Sequence, residues 1–231
     1  MIGIISDIHG NHQALLATLA ELGRLGANKI ICLGDIGGYY CEINECCETL
    51  RYRNIFSLMG NHDWYLTTAE PCPRSQSATR CIEYQKSIIT QSNLDWLASL
   101  KPQAQIGDLH IVHGGWIDPV DEYVAPSTTY FSAIPGFFFA SGHTHVPCIW
   151  TDGKKTYCNP GSVGQPRDGD PRASFAIWDG QRFTLHRINY DFRPLQTKMH
   201  LAGFEAYFYE NLAVGSRIGG KIDKLGGVTN P

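Results

Sequence analysis

Five short blocks carry residues that can bind metal or move protons: Asp7-Ile8-His9, Gly34-Asp35, Gly60-Asn61-His62-Asp63, His113-Gly114 and Gly142-His143-Thr144-His145. Asp-x-His pairs a hard carboxylate oxygen with an imidazole nitrogen, the mixed donor set that suits iron, manganese, zinc or nickel. Any block alone has an ordinary explanation, since Asp7 could cap a turn and His9 could be a loop histidine. Recurrence is what points to chemistry: five of the nine histidines fall in these blocks. Asp7, His9, Asp35, Asn61, His62, His113, His143 and His145 are too many donors for one ion with an open position. Two divalent ions are served if one carboxylate bridges them. Asp35 is the natural bridge, because it stands alone between the Asp7/His9 pair and Asn61.

The elements that must position these blocks are strands ending at a common edge. Met1 to Ile5, Lys29 to Leu33, Asn54 to Met59, Leu109 to Val112 and Phe137 to Ala140 are short apolar runs that read as strands, each delivering one block. Leu15, Leu16, Leu19 and Leu22 mark a helix after the first strand, and Ile43, Cys46, Cys47 and Leu50 mark another after the second. Two strand–helix–strand units in about sixty residues predict a parallel first sheet. Residues 64–80 predict a long polar loop. Helical stretches follow through Ile82, Ile88 and Ile89, then at Leu94, Leu97 and Leu100, where Pro102 stops the pattern.

Further along, Val146 to Thr151 and Lys155 to Cys158 predict a hairpin about Asp152-Gly153. Ala173 to Trp178 and Arg182 to Ile188 predict a second hairpin about Asp179-Gly180. The shift from parallel α/β to antiparallel β predicts an α/β fold of two packed sheets flanked by helices, with mixed parallel and antiparallel strands. From Tyr190 onward a helix is expected with Leu201, Phe204, Phe208 and Leu212 on one face, and residues 215–231 read as a frayed tail. No repeat or linker divides the chain, so residues 1–231 are expected to form one domain, with 191–231 a helical extension.

Composition bounds the partners. A net charge of -3 gives no basic field, which excludes a dedicated duplex nucleic-acid binder. No apolar run is long enough to span a membrane, and the N-terminus lacks a signal peptide. The eight cysteines show no CxxC pair and no regular framework, which predicts buried thiols in a reducing, cytoplasmic compartment. Cys72, between two prolines, is the one expected to be exposed and reactive. A homo-oligomer is compatible with the sequence.

The five blocks, in this order, resemble the calcineurin-like metallophosphoesterases over residues 1–190. Asp7-Ile8-His9-Gly10-Asn11, Gly142-His143-Thr144-His145 and Asn159-Pro160-Gly161-Ser162 resemble the small bacterial and archaeal phosphodiesterase branch in particular. The resemblance implies a two-metal phosphoesterase. It implies that Asp7, His9, Asp35 and His145 hold one ion and that Asp35, Asn61, His113 and His143 hold the other. His62 is implied to be the catalytic histidine that binds neither. Two cations about 3.5–4 Å apart can clamp a phosphoryl group and bring a shared water to a near-neutral pKa. The ions expected are two divalent metals among manganese, iron, zinc and nickel.

The expected substrate is a small phosphorylated compound, a nucleotide in the leading reading, hydrolysed at a phosphodiester or phosphoanhydride bond by a hydroxide bridging the metals. Arg167 and Arg172 flank a Gly-Asp loop and are candidates for binding a more distant phosphate, against a loop merely salt-bridged with Asp168 and Asp170. Protein phosphatase relatives carry an Arg soon after the second block, whereas Gly34-Asp35-Ile36-Gly37-Gly38-Tyr39 has none. A phosphomonoesterase or protein phosphatase is an alternative, which this absence disfavours. A catalytically silent binding scaffold of the same fold is another, which the intact ligand set disfavours.

Overall fold

The computed structural model describes residues 1–224. Strands β1 (Ile2–Ile5), β2 (Lys29–Cys32) and β3 (Phe56–Ser57) pair in parallel through helices α1 (His12–Arg24) and α2 (Ile43–Tyr52). Helices α3 (Asn61–Thr67), α4 (Gln76–Ile88) and α5 (Gln91–Ser99) follow. The second half supplies β4 (Gln103–Ile106), β5 (Leu109–Val112), α6 (Thr128–Ser132), β6 (Phe138–Ala140), β7 (Cys148–Thr151), β8 (Thr156–Asn159), β9 (Ala173–Trp178), β10 (Phe183–Ile188) and α7 (Arg193–Leu201).

Both sheets are mixed. One runs β10-β9-β1-β2-β3, the other β4-β5-β6-β8-β7. The β9–β10 hairpin pairs antiparallel with β1 instead of joining the second sheet, so the chain closes its first sheet with its last strands. Strand periodicity splits the core into layers. Ile4, Ile31 and Ala176 face Leu109, Ile111, Ala140 and Cys158 of the other sheet. Their neighbours Ile5, Cys32 and Phe175 turn the other way, onto Leu15, Leu19 and Leu22 of α1 and Cys46, Cys47 and Leu50 of α2. Phe131 of α6 covers Phe139, Cys148 and Tyr157 on the outer face of the second sheet.

Several expectations need correction. The third strand is two residues long, because Asn54 adopts φ 51° to leave α2 and the chain beyond Ser57 makes only a bridge from Leu58 to Lys101. Edge strand β4 carries the alternating sequence Gln-Ala-Gln-Ile and so lacks an apolar run. The expected 64–80 loop is shortened at both ends by α3 and α4. Cys72 is buried, 9% exposed, within the helical layer. The C-terminal helix stops at Leu201, which is 80% exposed, and Gly203 at φ 84° turns the chain. Two short 3₁₀ turns then bring Phe204, Phe208 and Leu212 onto Leu195 and Met199. Residues 215–224 pack back on the body of the protein instead of fraying: Gly169 N–H donates to the Gly215 carbonyl (2.8 Å) and Asp223 N–H to that of Arg167 (2.7 Å). The remainder of the expected tail, 225–231, lies outside the described residues. Among those described, no helix is long and apolar enough to cross a membrane.

Candidate metal centre

The blocks meet because the loops leaving the strands are laced to one another. Asp7 N–H donates to the Gly34 carbonyl, His9 N–H to that of Asp35, Gly142 N–H to that of His113, and Gly164 N–H to that of Asp7. His143 N–H donates to Asp7 Oδ2 (3.0 Å), and Ser162 Oγ to the Asp7 carbonyl (2.7 Å). Asn159 Nδ2 donates to the Gly142 carbonyl (2.6 Å), so the Asn-Pro-Gly-Ser block holds the site without lining it. Such tight crossings strain the backbone. Six non-glycine residues have positive φ among those described, and five are Asp7, His9, Asp35, His143 and His145. Each costs on the order of 1 kcal/mol, and strain concentrated on chemical side chains marks a site. Gly60 must be glycine for a different reason: a Cβ there would sit 2.1 Å from Asp35 Oδ1.

Two groups of donors result. Asp7, His9, Asp35 and His145 bring one ligand atom each within 4.8 Å of one another, and Asp35, His113 and His143 do the same. Asp35 belongs to both. Asn61 joins the second group, its Oδ1 3.3 Å from His113 Nε2. All of these side chains are buried.

Three histidines have their outer nitrogen tied to a main-chain carbonyl: His9 Nδ1 to Gly37 (2.8 Å), His113 Nδ1 to Leu33 (2.9 Å) and His145 Nδ1 to Gln165 (2.6 Å). A carbonyl only accepts, so each Nδ1 carries the proton and Nε2 is the inward atom, the arrangement that orients metal-ligating imidazoles. His9 Nε2 and His145 Nε2 then face each other at 3.0 Å. Both rings are kept neutral, chiefly by burial, which lowers their pKa values. Two lone pairs at this distance cannot hydrogen-bond and need a cation between them. Asp7 Oδ1 and Asp35 Oδ2 are also buried without a hydrogen-bond partner among the described residues, the donor set a divalent ion fits. Donors about 2.1 Å from one ion lie roughly 3.0–3.5 Å apart, and here the spacings are 3.0 Å for His9–His145, 3.2 Å for His145–Asp7 and 3.6 Å for His9–Asp35.

Electrostatics point the same way. Burial opposes charge on His113, yet Asp35, 3.5 Å away, outweighs it and pushes the ring up to about 9. Burial raises Asp35, but His113 and His62 hold it well below the usual carboxylate range. The site therefore calls for positive charge at its centre. His62 behaves differently: burial takes it down to about 4, and its Nδ1 has no hydrogen-bond partner among the described residues. Its ring lines a cavity of about 320 Å³ shared with Asp35, Asn61, His143, His145 and Arg167.

Of the two arginines expected near substrate, Arg167 is 4% exposed and lines this cavity, whereas Arg172 is outside its lining. Arg172 stands exposed and bonds Asp170 through Nε and Nη2, the salt-bridged-loop alternative, while Asp168 pairs with Arg187 instead. Arg74, Tyr123, Gln165 and Arg217 also line the cavity and went unread in the sequence. Arg74 pairs with Asp121, and its Nη2 stands 3.4 Å from His143 Nε2. Tyr39 fills the gap between His9, His62 and Arg167, its ring centroid 4.7 Å from the first and 4.8 Å from the second.

A helix-flanked pair of mixed sheets carrying an Asp/His/Asn cluster at its strand ends defines the metal-dependent phosphoesterase class. The chain belongs to the calcineurin-like phosphoesterase superfamily, whose domain signature matches residues 1–182. An uncharacterised protein of Methanocaldococcus jannaschii is 34% identical over 238 residues, covering 93% of this chain and 98% of its own. A metallophosphoesterase from Sphaerobacter thermophilus is 34% identical, with a TM-score of 0.82 over 93% of this chain and 98% of that one. A hypothetical protein from Pyrococcus horikoshii shares the fold at 21% identity, with a TM-score of 0.81 over 94% of this chain and 100% of its own.

Proposed function

We propose that the protein hydrolyses phosphodiester or phosphoanhydride bonds of a small phosphorylated substrate, a nucleotide in the leading reading, using two divalent cations that share Asp35. Asp7, His9, Asp35 and His145 would hold one ion; Asp35, Asn61, His113 and His143 would hold the other. The observation that carries the reading is the 3.0 Å approach of His9 Nε2 to His145 Nε2 with both outer nitrogens tied to carbonyls. When bound, the cations supply charge neutralisation of the phosphoryl oxygens and an acidified water.

The side chains do the rest. Tethered Nδ1 atoms keep His9, His113 and His145 in the ligating tautomer. His62 is neutral at pH 7, since its pKa lies at about 4. A neutral imidazole offers one N–H, so His62 donates a hydrogen bond to a phosphoryl or leaving oxygen exposed in the cavity. Arg167 faces the same space and attracts the anionic substrate.

A phosphomonoesterase is the second reading. Its support is Arg74, a guanidinium that lines the cavity beside His143 while paired with Asp121. Activity of metal-reconstituted protein against diesters, monoesters, cyclic nucleotides and dinucleoside polyphosphates decides between them. The first reading expects the highest kcat/KM on diesters or anhydrides and loss of activity with a chelator. Simple monoesters or phosphoserine peptides as the best substrates would reject it.

A further inference from the structure

Arg167 is a buried cation with no carboxylate in contact with it among the described residues. Its Nε and Nη2 donate to Gln165 Oε1 (3.0 and 2.7 Å), and Nη2 also reaches Tyr39 Oη (3.1 Å). Both acceptors are neutral oxygens, and no carboxylate lies within 4.0 Å of the guanidinium among the described residues. Burying an unpaired charge is costly unless an anion meets it. A second guanidinium, that of Arg217, lines the same cavity; its Nε donates to Asp223 (2.6 Å), which leaves the Nη edge free among the described residues.

Arg217 comes from a part of the chain beyond the superfamily's domain signature, which ends at residue 182. The segment is tied to the body of the protein by hydrogen bonds. Asn211 Nδ2 donates to the Ser216 carbonyl and to Tyr40 Oη, both at 3.0 Å. Tyr40 Oη accepts from Gln165 Nε2 (3.3 Å), and Gln165 is the residue whose main-chain oxygen fixes His145 and whose side chain fixes Arg167. Gly215, at φ 72°, passes so close to Asp170 that a Cβ would meet its carbonyl carbon at 2.5 Å. Asp223 N–H closes the loop on the Arg167 carbonyl at 2.7 Å. One hydrogen-bonded unit thus joins a candidate metal ligand, a buried arginine and the C-terminal segment.

We propose that residues 211–223 build a second anion subsite on the cavity, in which Arg167 and Arg217 hold a phosphoryl group other than the one being cleaved. The substrate class this selects has two phosphoryl groups joined by a short link, as in a nucleoside diphosphate or a dinucleoside polyphosphate. The inference rests on the proposed two-metal phosphoesterase site, which binds the other phosphoryl group. Tyr39 spans the interval, with the Arg167 guanidinium 5.4 Å from its ring centroid, His9 edge-on to it at 68° and His62 tilted against it at 49°.

The test is calorimetric binding of ethylphosphonate and ethane-1,2-diphosphonate to manganese-loaded protein, wild type and Arg217→Ala. Arg217 is a partly exposed side chain, so its removal leaves the fold standing. Wild type should prefer the diphosphonate, and the ratio of the two Kd values should collapse on the order of tenfold in the variant, the size of one charge-assisted contact. Arg217→Lys should lie between. An unchanged ratio in Arg217→Ala, with both ligands still bound, overturns the second subsite and leaves the two-metal reading intact. Failure of wild type to bind either ligand overturns both.

Discussion

The main-chain N–H of His62 donates to Oδ1 of Asp35 at 2.8 Å. The carboxylate that joins the two donor groups therefore also anchors the first turn of α3, which carries Asn61 and His62. The two candidate donor groups and the placement of the candidate catalytic histidine share one side chain. Changing Asp35 to Asn removes charge from both groups and should weaken both ions, whereas His9→Ala should release one. Altering partners behind metal ligands alone costs roughly 10–100-fold in affinity, so a shared ligand should cost at least that at both positions. Metal content after dialysis, by elemental analysis, separates the variants; equal loss from both would contradict the assignment of Asp35 as the shared donor.

His62→Ala should keep its metals and lose turnover. His62 and Asn61 are adjacent on the first turn of a helix, so their side chains diverge. One joins the second donor group and the other lines the cavity. Loss of a positioned proton donor costs roughly 10²–10⁴-fold in rate. Parallel loss of metal and activity would instead make His62 a ligand.

Stability should depend on Asp63. Its carboxylate accepts from the N–H groups of Ile36 (3.0 Å), Gly37 (2.9 Å) and Gly60 (3.0 Å), tying the second block to the third. Asp63→Ala leaves three buried donors unpaired, at about 2–4 kcal/mol. Urea unfolding should show that loss; a change below about 0.5 kcal/mol, the range of an ordinary surface substitution, would remove the structural role.

How much of this was legible in the sequence depends on where each residue sits. Asp7, His9, Asp35, His113, His143 and His145 could be read because each ends an apolar strand, and strand ends share an edge. Arg74, Tyr123 and Arg217 could not, because they lie in irregular segments whose path over the cavity is set by tertiary hydrogen bonds. Arg167 and Arg172 look alike in sequence. The intervening Gly169, at φ 88°, lets the loop turn so that one guanidinium enters the cavity and the other stays on Asp170. Strand β4 was hidden because Gln103 and Gln105 alternate with its apolar residues, as suits an edge.

The chelated protein should lose stability on acidification. Burial lowers the pKa values of His9, His62, His143 and His145 in the fold, His62 to about 4. Unfolded, each takes a proton near 6.5. A depressed folded pKa contributes stability above the unfolded value and loses it as pH falls, here from about 6.5 downward. Asp63, pushed up to about 7 by burial and Asp35, acts with the opposite sign in that window, and so does His113, raised to about 9, which stays charged in the fold while its unfolded ring takes its proton near 6.5. Four groups outweigh two, so Tm should drop between about pH 7 and 5. A flat or rising Tm would contradict the neutral, inward-facing imidazoles.

Anomalous diffraction from crystals saturated with manganese tests the central claim most directly. Two peaks should flank Asp35, one within reach of Asp7, His9 and His145, the other of Asn61, His113 and His143, with His62 bonded to neither. A single peak at full saturation, or His62 in a coordination shell, would contradict it.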